Sequence, residues 1–347
     1  MSRNEPSPAA SPVDSSTSAA SSVAASSVAD SSVAASTRGL GSLAHRIAAA
    51  PISWGVCEVP GWGVMLPPER VLAEMQDLGL SATELGAAGF LPEDPRALRE
   101  LLGRFELALV AGFVPLVLHD PARWPSALSL ADTTAGLLAA GGAGVFVTAL
   151  VQDEAWSRSG PLDRSTAAVI ADGLAQVDRV CARHGLIQVL HPHVGTLVET
   201  AQDIELMLDH SEAAWCLDTG HLRTGGLDPV RFAEQHADRI GHVHLKDVAA
   251  HVASRVLDRE LSLTDGVRAG MFTPFGDGDV AIDEVVLALE ERGYQGWYVL
   301  EQDTSLSDPP APGRGPVADV ARCLDYLRTE VVPRLPASAR TGVGPPP

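Results

Sequence analysis

Short apolar runs alternate along this chain with longer stretches whose apolar positions recur at helical spacing. The runs are 46–53, 82–85, 114–118, 145–148, 187–190, 215–217, 240–243 and 297–300, and each reads as a buried strand of a parallel sheet. Between the first two, Val71, Leu72, Met75 and Leu78 share one helical stripe that Pro67-Pro68 opens and Gly79 stops. Asp94 and Pro95 offer an N-cap and a first position for a helix over 94–105. Further helices are expected over 126–140, 165–184, 199–208, 229–236, 282–292 and 317–327. This alternation predicts an α/β chain with a parallel sheet and crossover helices. Eight units in order favour a single closed (β/α)8 barrel over an open sheet. No G-x-G-x-x-G lies between a strand and a helix, so a dinucleotide fold lacks its mark.

Composition changes the picture mainly at the ends. Residues 1–42 are largely Ser, Ala, Pro and Val, and 21–35 spell SSVAA-SSVAD-SSVAA. With too few bulky apolar groups to offset ordering entropy, 1–42 is expected to be a disordered extension. A lone Arg3 and Ser-interrupted Val-Ala runs do not make a signal peptide. Residues 43–332 are assigned to the barrel and the Pro- and Gly-rich 333–347 to a disordered tail. A net charge of −19 argues against a nucleic-acid surface, and no apolar run reaches the length of a membrane span. Cys57, Cys181, Cys216 and Cys323 show no C-x-x-C spacing and read as reduced thiols of a cytoplasmic protein. Both a monomer and a homo-oligomer fit this composition.

Four of the runs end in side chains of metal-binding type. They lead into His191-Pro192-His193, Asp218-Thr219-Gly220-His221, His244-Leu245-Lys246-Asp247 and Glu301-Gln302-Asp303. A closed barrel delivers strand C-termini to one rim, so these groups should meet there. Carboxylates with neutral imidazoles suit Mn²⁺, Co²⁺, Zn²⁺ or Mg²⁺. The candidate ligands are Asp218, His244, Glu301 and His191; the ordinary alternatives are an Asx turn at Asp218 and a surface carboxylate at Glu301. His242 and His244 are read on opposite faces of their strand, His244 toward the mouth and His242 packed. His191 is assigned to the metal or the substrate, and His193 and His221 to the substrate. Lys246 is the only lysine among 25 basic residues, a compact ammonium at a strand end where Arg would not substitute. Glu84 and His119, at the ends of the second and third strands, are assigned to substrate binding with Trp54 and Phe272, and Trp62 can also wall a ligand. FTPFGDGD at 272–279 lacks the calcium-loop pattern and reads as a Gly-rich loop.

LDTGH at 217–221, HVHLKD at 242–247, FTPFGDGDVAID at 272–283 and YVLEQD at 298–303 resemble the xylose-isomerase-like TIM barrels, the superfamily of sugar-phosphate isomerases and epimerases. The resemblance spans about 46–327. Within that superfamily, APISWGVCEVPGWG at 50–63, ATELGAAGFLP at 82–92 and LHPHVGTLVET at 190–200 are most similar to the inosose dehydratase family. The resemblance implies Mn²⁺ or Co²⁺ held by Asp218, His244 and Glu301, with His221 behind the ligands or at the substrate. It also implies loss of water from the cyclitol 2-keto-myo-inositol (scyllo-inosose) in inositol breakdown. Many isomerases and epimerases of the superfamily carry Glu at the strand-five position held here by His191; Glu199 is the carboxylate nearest in sequence. Elimination then calls for a metal that stabilises an enolate, with Glu301 or a histidine as base. The acid would be His191, His193 or Lys246. Three other readings share this barrel: a ketose epimerase or isomerase, a Schiff-base aldolase through Lys246, and a sugar- or cyclitol-binding sensor without turnover.

Overall fold

The computed structural model describes residues 37, 39–57, 59, 61–157 and 160–336, and the expectations for 1–36 and 337–347 lie outside them. Eight parallel strands close into a barrel: β1 (Ile47–Ala49), β2 (Ala82–Glu84), β3 (Ala108–Leu116), β4 (Val145–Leu150), β5 (Ile187–Leu190), β6 (Ala214–Asp218), β7 (Ile240–Leu245) and β10 (Tyr298–Leu300). β1 pairs with β10 to complete the ring. Helices follow the strands and pack outside, as the alternation of patterns predicts. Leu40 and Leu335 are both fully buried, so the packed chain extends slightly beyond 43–332 at each end.

The barrel holds two cores, and alternation along each strand sorts residues between them. Inside lie small side chains, among them Ala48, Ala82, Ala111, Val147, Val189, Cys216 and Val299. Outside, Phe146, Trp215, Val243 and Tyr298 join the helices in a larger core. Small interior residues let the ring close tightly, and the polar groups are confined to its upper end.

Four local expectations change. The first strand stops at Ala49 rather than residue 53, because Pro51 opens a 3-10 turn, Pro51–Trp54, that ends on Gly55 at φ +85°. The third strand begins at Ala108, six residues early: Ala111 and Gly112 interrupt the apolar pattern, yet their backbones pair with β4. A short helix, Thr219–Thr224, starts on Asp218, which caps it by accepting the His221 N–H at 2.8 Å. Between β7 and β10 the chain adds helices Ala250–Leu257 and Leu263–Arg268. An antiparallel pair, β8 (Asp247–Val248) with β9 (Phe272–Thr273), holds this excursion together.

Candidate active site

Register assembles the site. Asp218 on β6 is the partner of His244 on β7, and His244 is the partner of Val299 on β10. Two residues past Val299, on the same inward row, comes Glu301, whose N–H is bonded to the Leu245 carbonyl at 3.0 Å. The same period places Glu84 above Ala82, His191 above Val189, Lys246 above His244 and Asp303 above Glu301. His242 and His244 therefore share the inner face, contrary to the expectation of opposite faces: residues two apart on a strand point the same way. Both imidazoles approach one oxygen, Glu84 Oε1, at 2.8 and 3.0 Å.

Asp218, His244 and Glu301 place one donor atom each within 4.8 Å of one another. Glu84 accepts from His244 Nε2–H; burial opposes charge on this ring, but neighbours that include Glu301, Glu84 and Asp218 raise it well above its ordinary value, so a cation would take Nδ1 in place of a proton. That Nδ1 is buried without a hydrogen-bond partner, 3.3 Å from Glu301 Oε2 and 3.7 Å from Asp218 Oδ2. An orphaned imidazole nitrogen between two carboxylates is a donor set suited to a divalent cation.

Charge count points the same way. Lys246 Nζ lies 2.7 Å from Glu301 Oε2, 2.8 Å from Asp303 Oδ1 and 3.5 Å from Asp218 Oδ2. Three carboxylates thus face one ammonium in a buried site, an excess of negative charge that a divalent cation would offset. The buried His, Asp and Glu residues fit a divalent-metal site.

Burial disfavours every charge here, and neighbours decide which survive. His244 and His242 outweigh burial and hold the Glu84 carboxyl far below its ordinary value. Lys246 and His221 do the same for Asp218, and His244 and Lys246 for Glu301. Burial lowers His191, and it takes His193, with help from His191, down to about 3; both rings stay neutral. Burial raises Asp303 to about 6 against the pull of Lys246. Lys246 itself is raised well above the usual range, because Asp218, Asp303 and Glu301 overcome its burial. It stays an ammonium, whereas Schiff-base chemistry needs the free amine.

A cavity of about 340 Å³ opens above these groups. Glu84, His191, His193, Lys246, Glu301 and Asp303 give it a polar floor. Trp62, Phe113 and Trp156 are among its walls, and Val256, Leu261 and Leu263 from the excursion after β7 cover it. Arg259, at φ +72°, grips the Glu199 carboxylate with both nitrogens at 2.8 and 2.5 Å, tying that cover to the β5 loop. Arg268 ties the other edge to the Gly61 and Trp62 carbonyls at 2.7 and 2.9 Å.

The remaining sequence candidates fall in three places. Asp218, His221 and His244 are buried beneath the lining. Phe272 lies with its ring 4.9 Å from Lys246 Nζ. Trp54 and His119 are not among the lining residues. Trp54 is fully buried with Nε1 donating to Glu74 Oε2 at 2.8 Å, and His119 meets Gln152 at 3.2 Å. Sequence reasoning missed Asp303 and Arg259. Period-two spacing from Val299 through Glu301 offered a signal for Asp303; nothing local marked Arg259.

Residues 72–327 match the xylose isomerase-like TIM barrel family, and the chain belongs to it. An inosose dehydratase of Geobacillus kaustophilus is 33% identical over 278 residues, 76% of this chain and 90% of that protein. Among solved structures, a xylose isomerase-like TIM barrel/4-hydroxyphenylpyruvate dioxygenase fusion protein superposes with a TM-score of 0.62 at 19% identity. That match covers 86% of this chain and 45% of the fusion. An L-ribulose 3-epimerase gives 0.60 at 18% identity, covering 82% of this chain and 94% of the other. These two likenesses are of fold.

Proposed function

We propose that this chain is a Mn²⁺- or Co²⁺-dependent dehydratase that removes water from 2-keto-myo-inositol (scyllo-inosose). The observation that carries the proposal is the convergence of His244 Nδ1, Asp218 and Glu301 beneath a cavity with neutral histidines and one ammonium on its floor. The inosose dehydratase relative at 33% identity supports the choice of substrate. Asp218, His244 and Glu301 would hold the divalent cation, which would supply Lewis-acid stabilisation of negative charge on the substrate.

The protein's own groups supply the proton transfers. His191 Nε2 faces Asp218 Oδ2 at 3.3 Å, and its Nδ1 is buried without a partner. Asp218 thus orients His191 as an acceptor for the proton α to the ketone. Lys246 gives a proton to the departing β-hydroxyl as the carbon–oxygen bond breaks, so the product is the enol form of a dione plus water. His193 donates Nδ1–H to the Val194 carbonyl at 2.7 Å and keeps its other nitrogen for a substrate hydroxyl. Glu84 lines the cavity and also holds His244 through Nε2.

Protein stripped of metal and resupplied with Mn²⁺ or Co²⁺ should convert scyllo-inosose to a product with the ultraviolet absorbance of a conjugated dione. Metal binding without absorbance, but with exchange of the α proton into solvent deuterium, would instead assign an epimerase or isomerase.

A further inference from the structure

We infer that Asp303 is a positioning residue: it shares the Lys246 ammonium with the cation ligands, leaves it an anionic partner when a cation takes Glu301 and Asp218, and so sets metal affinity. The inference rests on the reading of Asp218, His244 and Glu301 as a cation site.

Lys246 stands on the oxygens a cation would use. Its Nζ is 2.7 Å from Glu301 Oε2 and 3.5 Å from Asp218 Oδ2. The side chain has little room to leave. It is 1% exposed, its stem passes so near Gly220 that a Cβ there would meet it at 2.8 Å, and Phe272 covers the ammonium at 4.9 Å. A cation arriving at Glu301 and Asp218 therefore shares a closed space with a positive charge. The ammonium has two further partners, Asp303 Oδ1 at 2.8 Å and His221 Nε2 at 3.2 Å, and only Asp303 is anionic.

Asp303 is itself fixed. The flanking backbone is pinned to the turn after β1, Gln302 N–H donating to Ser53 Oγ at 3.0 Å and Thr304 N–H to the Ile52 carbonyl at 3.3 Å. Its carboxylate is 7% exposed and belongs to the cavity floor, where its donor atom groups with those of His193 and His221 rather than with Asp218, His244 and Glu301. It is thus a stationary anchor one hydrogen-bond length from a confined cation. Without it, Lys246 has no carboxylates left except two of the metal ligands.

The test is a double-mutant cycle read by calorimetric titration of the full, metal-stripped chain with Mn²⁺. Asp303→Asn should weaken Mn²⁺ binding by about tenfold, the lower end for residues that orient a metal site from behind. Lys246→Met removes the competitor and should tighten it. Adding Asp303→Asn to Lys246→Met should then change little, and Asp303→Glu should restore affinity in the lysine-containing protein. Equal weakening in both backgrounds would mean that Asp303 acts on the cation directly, and would overturn the inference. So would Lys246→Met binding no tighter than wild type. Thermal melts of all four variants identify any that misfold, and Asp303→Ser then replaces Asp303→Asn. A wild-type chain that takes up no Mn²⁺, Co²⁺ or Zn²⁺ would remove the cation site itself, a failure distinct from additivity.

Discussion

The two halves of the barrel do different work. Strands β1 to β4 line the interior with small apolar side chains, Ala48, Ala82, Ala111 and Val147, and send up one inward carboxylate, Glu84. Strands β5, β6, β7 and β10 send up His191, Asp218, His242, His244, Lys246, Glu301 and Asp303 on the same inward rows. Glu84 crosses the barrel to grip two histidines of β7. The first half thus serves as a wall with a single support, and the second half as the chemical face. Clustering the ionisable groups on neighbouring strands lets each offset the burial cost of the next.

That division can be tested by striking each half. The largest effect is expected from Asp218→Asn, which removes a carboxylate of the proposed cation site and leaves Lys246 and His191 short of a partner. Mn²⁺ affinity should fall by about 10³-fold, comparable to breaking a buried ion pair, as read by calorimetry. Glu84→Gln strikes the inward carboxylate of the first half's strands. Losing the anion that fixes His244 should cost between about 10- and 100-fold in metal affinity, with the cavity intact. Retention of wild-type affinity would make Glu84 a packing residue and leave the first half without a share in the site. Trp54→Phe strikes the wall alone. It deletes the hydrogen bond to Glu74 and should lower stability by about 1 kcal/mol in a denaturant melt, with metal affinity and turnover unchanged.

How much of this was legible in sequence varies along the same divide. β5, β6 and β7 were visible because their apolar runs end abruptly in His or Asp, and β2 because a short run ends on Glu84. β1 and β3 were misjudged at their ends: Pro51 breaks a run that still looks apolar, and Ala111-Gly112 pair without looking like strand. Strand ends and resemblance point to Asp218, His244, Glu301 and His191 as ligands; the register brings the donor atoms of the first three together, and His191 groups with Asp218 and His221. The inward pairing of His242 with His244 was misread, although period two contains it. The Arg259–Glu199 tie spans 60 residues of sequence, and no local pattern encodes a contact made by a folded-back excursion.

One feature of the floor reaches beyond its electrostatics. Lys246 is the only lysine in the sequence, and it is 1% exposed. Protein grown with lysine labelled at the side-chain nitrogen would therefore carry a single isotopic reporter, shielded from bulk water and seated against Glu301, Asp303 and His221. One magnetic-resonance line would follow the loading of this site without an engineered probe.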